Sequence, residues 1–347
     1  MEYQKKNRGD FNRALLGEEL EAFLGNNTKK PLAPFVQLVK NNPELELCFR
    51  GNSSNTPRVC IYENNNIVFS VQTSGRIQVS FNHARYCKDW KKYFEKLKKY
   101  GFTGSEMKTN EKSQIDIGYL YRSLDKNKPL TYKEVETLYK DVLKPVFNDY
   151  FSAAGDCKVV DYFKHGEKVK PKGMTEKKRQ QEIYSQFKYL SDGYFFYDLE
   201  FAQRHKDKEE QDNDKNNNKP DMQAIRFGLN GTPEKIVFVE VKCTKDAMNG
   251  KSGLTEHLKK MESYEKLEER RKEACDILNQ YAQLELRGLT KQNIFNYNDF
   301  KNLKLEILLV FTDDAIKIWE KDDAFKDDRK RTTLINSENP NIRLYRL

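Results

Sequence analysis

The sequence predicts a mixed α/β protein of the α+β kind. Its C-terminal half runs helix, three strands, a long helical stretch and a fourth strand, and a smaller module with an antiparallel sheet precedes it. Three observations carry this. Between Leu45 and Phe81, short β-rich runs alternate with turn residues, the mark of an antiparallel meander. From Thr175 to Leu190, and again from Leu254 to Tyr281, apolar residues recur at helical spacing. Ile236-Val237-Phe238-Val239 and Leu303–Phe311 are nearly unbroken apolar runs, as expected of strands buried on both faces.

Residues 1–105 read as an N-terminal α+β module. Phe11 to Phe23 has amphipathic helical spacing and stops at Gly25-Asn26-Asn27. Pro34 to Lys40 is a second short apolar element. Strand signals follow at Leu45–Phe49, Arg58–Tyr62, Ile67–Gln72 and Arg76–Phe81, with Asn64-Asn65-Asn66 and Thr73-Ser74-Gly75 as tight turns. Ala84 to Tyr100 reads as a helix with Trp90, Phe94 and Leu97 on one face. Arg50, Arg58, Arg76, His83, Arg85, Tyr86 and the lysines around Trp90 are its candidate surface groups, of the kind that bind phosphates and stack bases. The plainer reading is a structural or dimerising module with ordinary surface lysines.

Residues 106–170 read as a helical connector. Thr131-Tyr132-Lys133-Glu134 is a capping-box pattern. The helix it starts runs through Val135, Leu138, Tyr139, Val142 and Leu143, and Pro145 is expected to kink it. The polar, basic run Gly166–Gly173 leads into the third region, residues 171–347.

That region opens with a helix from Thr175, a plausible N-cap, to Leu190. Ile183, Phe187 and Leu190 form its apolar face, and Glu182 and Gln186 share a neighbouring one. Tyr194–Ala202 reads as the first strand, with Phe196, Asp198 and Glu200 on one face. Asp198 and Glu200 are expected on a polar face. Arg204 to Lys219 is too charged to bury itself and reads as a mobile hairpin loop. A strand after Asp221, a Gly/Pro turn and the run into Glu240-Val241-Lys242 complete the meander. The helical stretch from Leu254 is expected to break or present a solvated face at Glu265–Glu273. Leu303–Phe311 is the fourth strand, Ala315–Glu320 a partner strand for it, and Ile342–Leu347 an edge strand.

The chain has 347 residues, room for two or three domains, and a formal charge of +9. That excess permits a nucleic-acid partner but is spread along the chain. No apolar run approaches a membrane span and the N-terminus lacks an apolar signal core, so a soluble, cytoplasmic protein with no membrane partner is expected. The six cysteines show no zinc-binding spacing and are expected reduced, and nucleophile-elbow, phosphate-loop and dinucleotide glycine patterns are missing. The remaining chemistry lies between Lys219 and Cys243. Side chains alternate along a strand, so Glu240 and Lys242 share a face while Val241 points into the core. Carboxylates on adjacent strands, Asp221 and Glu240, suit a hard divalent cation, to which the Val241 carbonyl adds another oxygen. Lys242 is placed to hold a water and offset phosphate charge.

Pro220-Asp221, then a gap, then Glu240-Val241-Lys242 resembles the signature of the PD-(D/E)XK nuclease superfamily. The resemblance implies a restriction endonuclease-like αβββαβ core in residues 171–347. It implies Asp221, Glu240 and Lys242 as catalytic residues, with Asp221, Glu240 and the Val241 carbonyl holding Mg²⁺ or Mn²⁺. Glu182 resembles the acid that the family carries on its first core helix, as a further metal and catalytic residue. The implied activity is phosphodiester hydrolysis by a DNA endonuclease of restriction or phage-defence type, with DNA favoured over RNA and a homodimer as one arrangement for cutting both strands. The alternative is an inactive nucleic-acid-binding or scaffold protein on a nuclease fold. Some branches carry a Gln and a Tyr four apart on the helix after the motif. Here Lys260 and Tyr264 stand there, so the Gln is absent. His257 and Lys260 read as a phosphate contact or, more plainly, a solvated helix face.

Overall fold

The computed structural model describes residues 14–15, 20, 32–51, 57–80, 90–104, 108–109, 115–116, 119–123, 128–148, 174–190, 193–199, 220–249, 253–264, 267–312, 314–336 and 342–347. They fall into two compact units, one built mainly from Leu15–Met174 and the other from Thr175–Leu347. Among them no helix is long and apolar enough to cross a membrane. The loop 204–219, most of the helix expected at Phe11–Phe23, Glu200, His83, Arg85, Tyr86, Cys87 and Cys157 lie outside the described residues.

The first unit is organised by an antiparallel sheet. Helix α1 (Ala33–Asn41), with a proline in its first turn, buries Phe35, Val36 and Leu38. The strands β1 (Leu45–Arg50), β2 (Arg58–Glu63), β3 (Asn66–Gln72) and β4 (Ile77–Ser80) pair in succession. Asn64 and Asn65, at φ 50° and 55°, form the two-residue β2–β3 turn; positive φ at both positions is the hairpin geometry that matches strand twist, and asparagine tolerates it. Helix α2 (Trp90–Lys99) and the short pair β5 (Lys108–Thr109) and β6 (Ile115–Asp116) follow. Then β7 (Tyr119–Arg122), from the stretch read as a connector, joins β4 and makes the sheet five-stranded.

Helix α3 (Tyr132–Leu138) starts at the expected capping box: Glu134 N–H donates to Thr131 Oγ1 at 3.3 Å, and Thr131 N–H to Glu134 Oε2 at 2.7 Å. A π-turn over Tyr139–Leu143 follows, and the chain stays helical through 148. The helix thus runs on past Pro145, with the π-turn just before it. Proline has no N–H for the carbonyl four residues back, that of Asp141. The Lys96 ammonium lies 3.5 Å from that oxygen instead.

In the second unit, helix α4 (Met174–Gln186) leads to the meander β8 (Tyr194–Leu199), β9 (Met222–Phe227) and β10 (Pro233–Lys242). Thr175 lies just inside the helix rather than before it. Helices α5 (Leu254–Glu262), α6 (Leu267–Leu284) and α7 (Tyr297–Phe300) then carry the chain to β11 (Lys304–Thr312), which pairs parallel to β10. The break between α5 and α6 falls at the start of the expected charged stretch. The central strands hold the core: Ile236, Val237, Val239, Val241, Leu308, Leu309 and Val310 are fully buried.

Two C-terminal expectations are corrected. Ala315–Glu320 lies in helix α8 (Asp314–Lys321), not a strand. Ala315 and Trp319, four apart, are the buried pair, and Trp319 stacks on Phe311 at 4.9 Å, so helical period overrides the short alternation. After helix α9 (Lys326–Arg331) come β12 (Thr333–Ile335) and β13 (Ile342–Arg346). β13 sits inside the sheet between β11 and β12, which takes the edge. The order across this mixed sheet is β12-β13-β11-β10-β9-β8.

Two buried charge clusters give testable consequences. Burial pushes the Glu63 carboxyl up to about 7, the nearby Lys144 only partly opposing it, and Glu63 Oε2 is buried without a hydrogen bond. A carboxyl raised in the folded state contributes stability that is fully present below its unfolded value and is lost as pH rises through about 7. Glu63→Gln is therefore expected to flatten the stability profile between pH 5 and 8, removing a loss on the order of 2–3 kcal/mol in urea titrations; an unchanged profile contradicts this. In the other unit, Arg270 Nη1 lies 2.9 Å from both carboxylate oxygens of Glu273, and the two residues are 2% and 0% exposed. Glu273→Ala removes both 2.9 Å contacts of the buried Arg270 guanidinium, leaving Glu269 Oε2 at 3.9 Å, and is expected to cost about 3–5 kcal/mol, whereas the double change Arg270→Met, Glu273→Leu recovers most of it. Chemical denaturation of the three proteins measures both.

Candidate functional site

The candidate site forms where β10 outruns β9. The last β9–β10 pair is Met222 with Val239, so Glu240, Val241 and Lys242 have no β9 partner, while β11 accompanies them as far as Phe311. Asp221, the residue before β9, closes this strand end: its Oδ2 accepts the Val241 N–H at 2.8 Å. A strand residue sends its N–H and C=O to the same side, so the Val241 carbonyl faces Asp221's side too. Pro220 is buried before it and presets the backbone there.

Glu240 is 1% exposed and Lys242 5%. Both project from the face that also carries Ile236 and Phe238. Lys242 Nζ lies 2.6 Å from Glu240 Oε1, and His257 Nδ1 lies 2.6 Å from the same oxygen. The other oxygen, Oε2, is buried and makes no hydrogen bond. A buried polar atom left unsatisfied costs about 1–3 kcal/mol, so a carboxylate with one oxygen doubly held and the other bare has a position to fill.

His257 comes from α5. Leu254, Leu258 and Met261 are that helix's buried stripe, and His257 falls among them at helical spacing. Gly253 caps the helix, and a β-carbon there would stand 2.8 Å from the Met248 carbonyl oxygen. Only glycine permits the close approach that sets where α5 begins. The expectation of a solvated helix face for His257 is thereby corrected; its spacing to Leu254 and Met261 was the signal available.

Other expected residues stand elsewhere. Glu182 is half-exposed on α4, with Oε2 2.8 Å from Arg179 Nη1. Among the described residues no three His, Cys, Asp or Glu side chains form a ready metal-binding group. Asp198, expected on a polar face, is 1% exposed: a bulge after Phe196 aligns it with Gln223, whose Nε2 donates to it at 3.3 Å. The Tyr197 hydroxyl donates to Gln223 Oε1 at 3.0 Å, and burial, then Glu273, pushes its ionisation far up. Tyr264 packs edge-on against Phe238 at 5.0 Å. In the other unit Arg50 is not a surface group: it is buried, with Nη2 3.0 Å from the Tyr62 hydroxyl. Arg76 lies 3.7 Å over the Tyr121 ring.

The donors at the strand end are of types that a divalent cation accepts. They are two carboxylates, a backbone carbonyl and one imidazole, and one buried carboxylate oxygen, Glu240 Oε2, makes no hydrogen bond. Compared with protein-family models, curated proteins and solved structures, the chain matches none.

Proposed function

We propose that the Thr175–Leu347 unit is a metal-dependent nuclease of the PD-(D/E)XK kind, most simply a DNA endonuclease of restriction or phage-defence type. The observation that carries this is the convergence of Asp221, Glu240 and Lys242 at one strand end, with Glu240 Oε2 buried and unpartnered. The element order supports it: a helix, a three-strand antiparallel meander, helices, and a strand parallel to the third is the order of a restriction endonuclease-like core.

In this reading Asp221, Glu240 and the Val241 carbonyl hold Mg²⁺ or Mn²⁺. When bound, the cation supplies Lewis-acid polarisation of a phosphate oxygen. Lys242, fixed by its pair with Glu240, orients the attacking water and offsets charge developing on the phosphate. Asp221 has a second task, since its hold on Val241 N–H fixes the strand end from which Glu240 and Lys242 project. The +9 charge suits a nucleic-acid substrate, and a homodimer would present one centre to each strand of a duplex. The second reading is an inactive nucleic-acid-binding or scaffold protein on the same fold, favoured by the engagement of Glu182 with Arg179.

Cleavage of supercoiled circular DNA, single-stranded DNA and RNA decides between them, with wild type, Asp221→Ala and Lys242→Ala in Mg²⁺, Mn²⁺ and EDTA. The nuclease reading expects metal-dependent nicking of the circle, reduced about 100-fold or more in both variants. Cleavage that survives EDTA or either substitution contradicts it, and metal-independent binding with no cutting favours the second reading.

A further inference from the structure

His257 is not part of the Asp–Glu–Lys set, yet it touches that set's most buried member. Its Nδ1 is 2.6 Å from Glu240 Oε1. Two neighbouring ligands of a divalent cation, each bonded at about 2.1–2.2 Å, stand about 3 Å apart. The ring and the carboxylate therefore need to separate by only about 0.4 Å to admit an ion between them. Both come from anchored elements. Glu240 sits in a central strand, 1% exposed, and α5 is fixed by Leu254, Leu258 and Met261 and by the close approach at Gly253. The bare Oε2 of Glu240 is a second, independent indication that a ligand belongs here.

The donors discriminate between Mg²⁺ and Mn²⁺. A set of oxygens alone suits Mg²⁺, which gives up water reluctantly and favours carboxylates and phosphates. An imidazole nitrogen beside a carboxylate suits a softer first-row ion. We infer that His257 is a ligand of the cation held by Glu240, and that the centre takes Mn²⁺ in preference to Mg²⁺. This rests on the metal centre of the proposed nuclease and adds to it a nitrogen ligand and a metal preference. A His257 that only hydrogen-bonds Glu240 would leave the ion's shell all oxygen.

The test uses the full chain and Mn²⁺ alone as probe. Electron paramagnetic resonance follows the loss of the free-ion signal on binding, and pulsed measurements read nitrogen coupling to the bound ion. Wild type is expected to bind Mn²⁺ with nitrogen coupling. His257→Gln is expected to lose the coupling and to bind Mn²⁺ about tenfold more weakly or worse, with Mg²⁺ affinity, from competition, changed less than about threefold. Glu240→Gln is expected to weaken both ions. Glu240-dependent Mn²⁺ binding without nitrogen coupling in wild type overturns His257 as a ligand and leaves the centre standing. No Mn²⁺ binding, or binding that Glu240→Gln leaves intact, overturns the centre itself and the nuclease reading with it. If circular dichroism shows His257→Gln unfolded, the coupling in wild type alone decides.

Discussion

Glu240 is the constraint around which the second unit is arranged. A carboxylate 1% exposed in the middle of a sheet is costly unless its charge is answered. Here Lys242 and His257 answer it at one oxygen, each at 2.6 Å, and the other oxygen is left bare. Replacing such a pair with well-packed apolar residues is often neutral or stabilising. The unit therefore carries a polar cluster that stability alone does not require, in a central strand whose Ile236–Val239 run is buried.

The fold serves that cluster in a few specific ways. β9 stops pairing at Met222, and the freed Val241 N–H turns to Asp221. β11 runs parallel to β10 through Lys242, so the strand end stays supported on its other side. α5 starts where Gly253 lets it approach the chain and delivers His257 one turn later. Beneath the neighbouring helices, Asp198, Gln223 and Tyr197 form a hydrogen-bonded row, and the Arg270–Glu273 pair is buried on α6. These groups hold one another, while at the strand end one buried oxygen of Glu240 makes no hydrogen bond.

Much of this is legible in the sequence, for reasons that can be named. The β10 run and its charged end declare themselves because period-2 alternation puts Glu240 and Lys242 on one face. The capping box at Thr131 is a local rule, and it holds in atomic detail. What failed needed more than local pattern. Ala315–Glu320 alternates well enough for a strand, but Trp319 gains more by stacking on Phe311 from a helix. Asp198 is buried because a bulge and Gln223 together give it a place, and neither is visible in a strand-like run of residues. The contact of His257 with Glu240 is not readable because the partner lies on another element, although the place of His257 in the apolar stripe of α5 is. Arg50 similarly finds Tyr62 across a strand pair.

The most direct measurement is anomalous diffraction from crystals soaked in Mn²⁺. The geometry predicts one strong peak at the end of β10, within about 2.0–2.4 Å of a Glu240 carboxylate oxygen. A fully occupied peak bound elsewhere, with Glu240 still held only by Lys242 and His257, would contradict the assignment of this strand end as the metal centre.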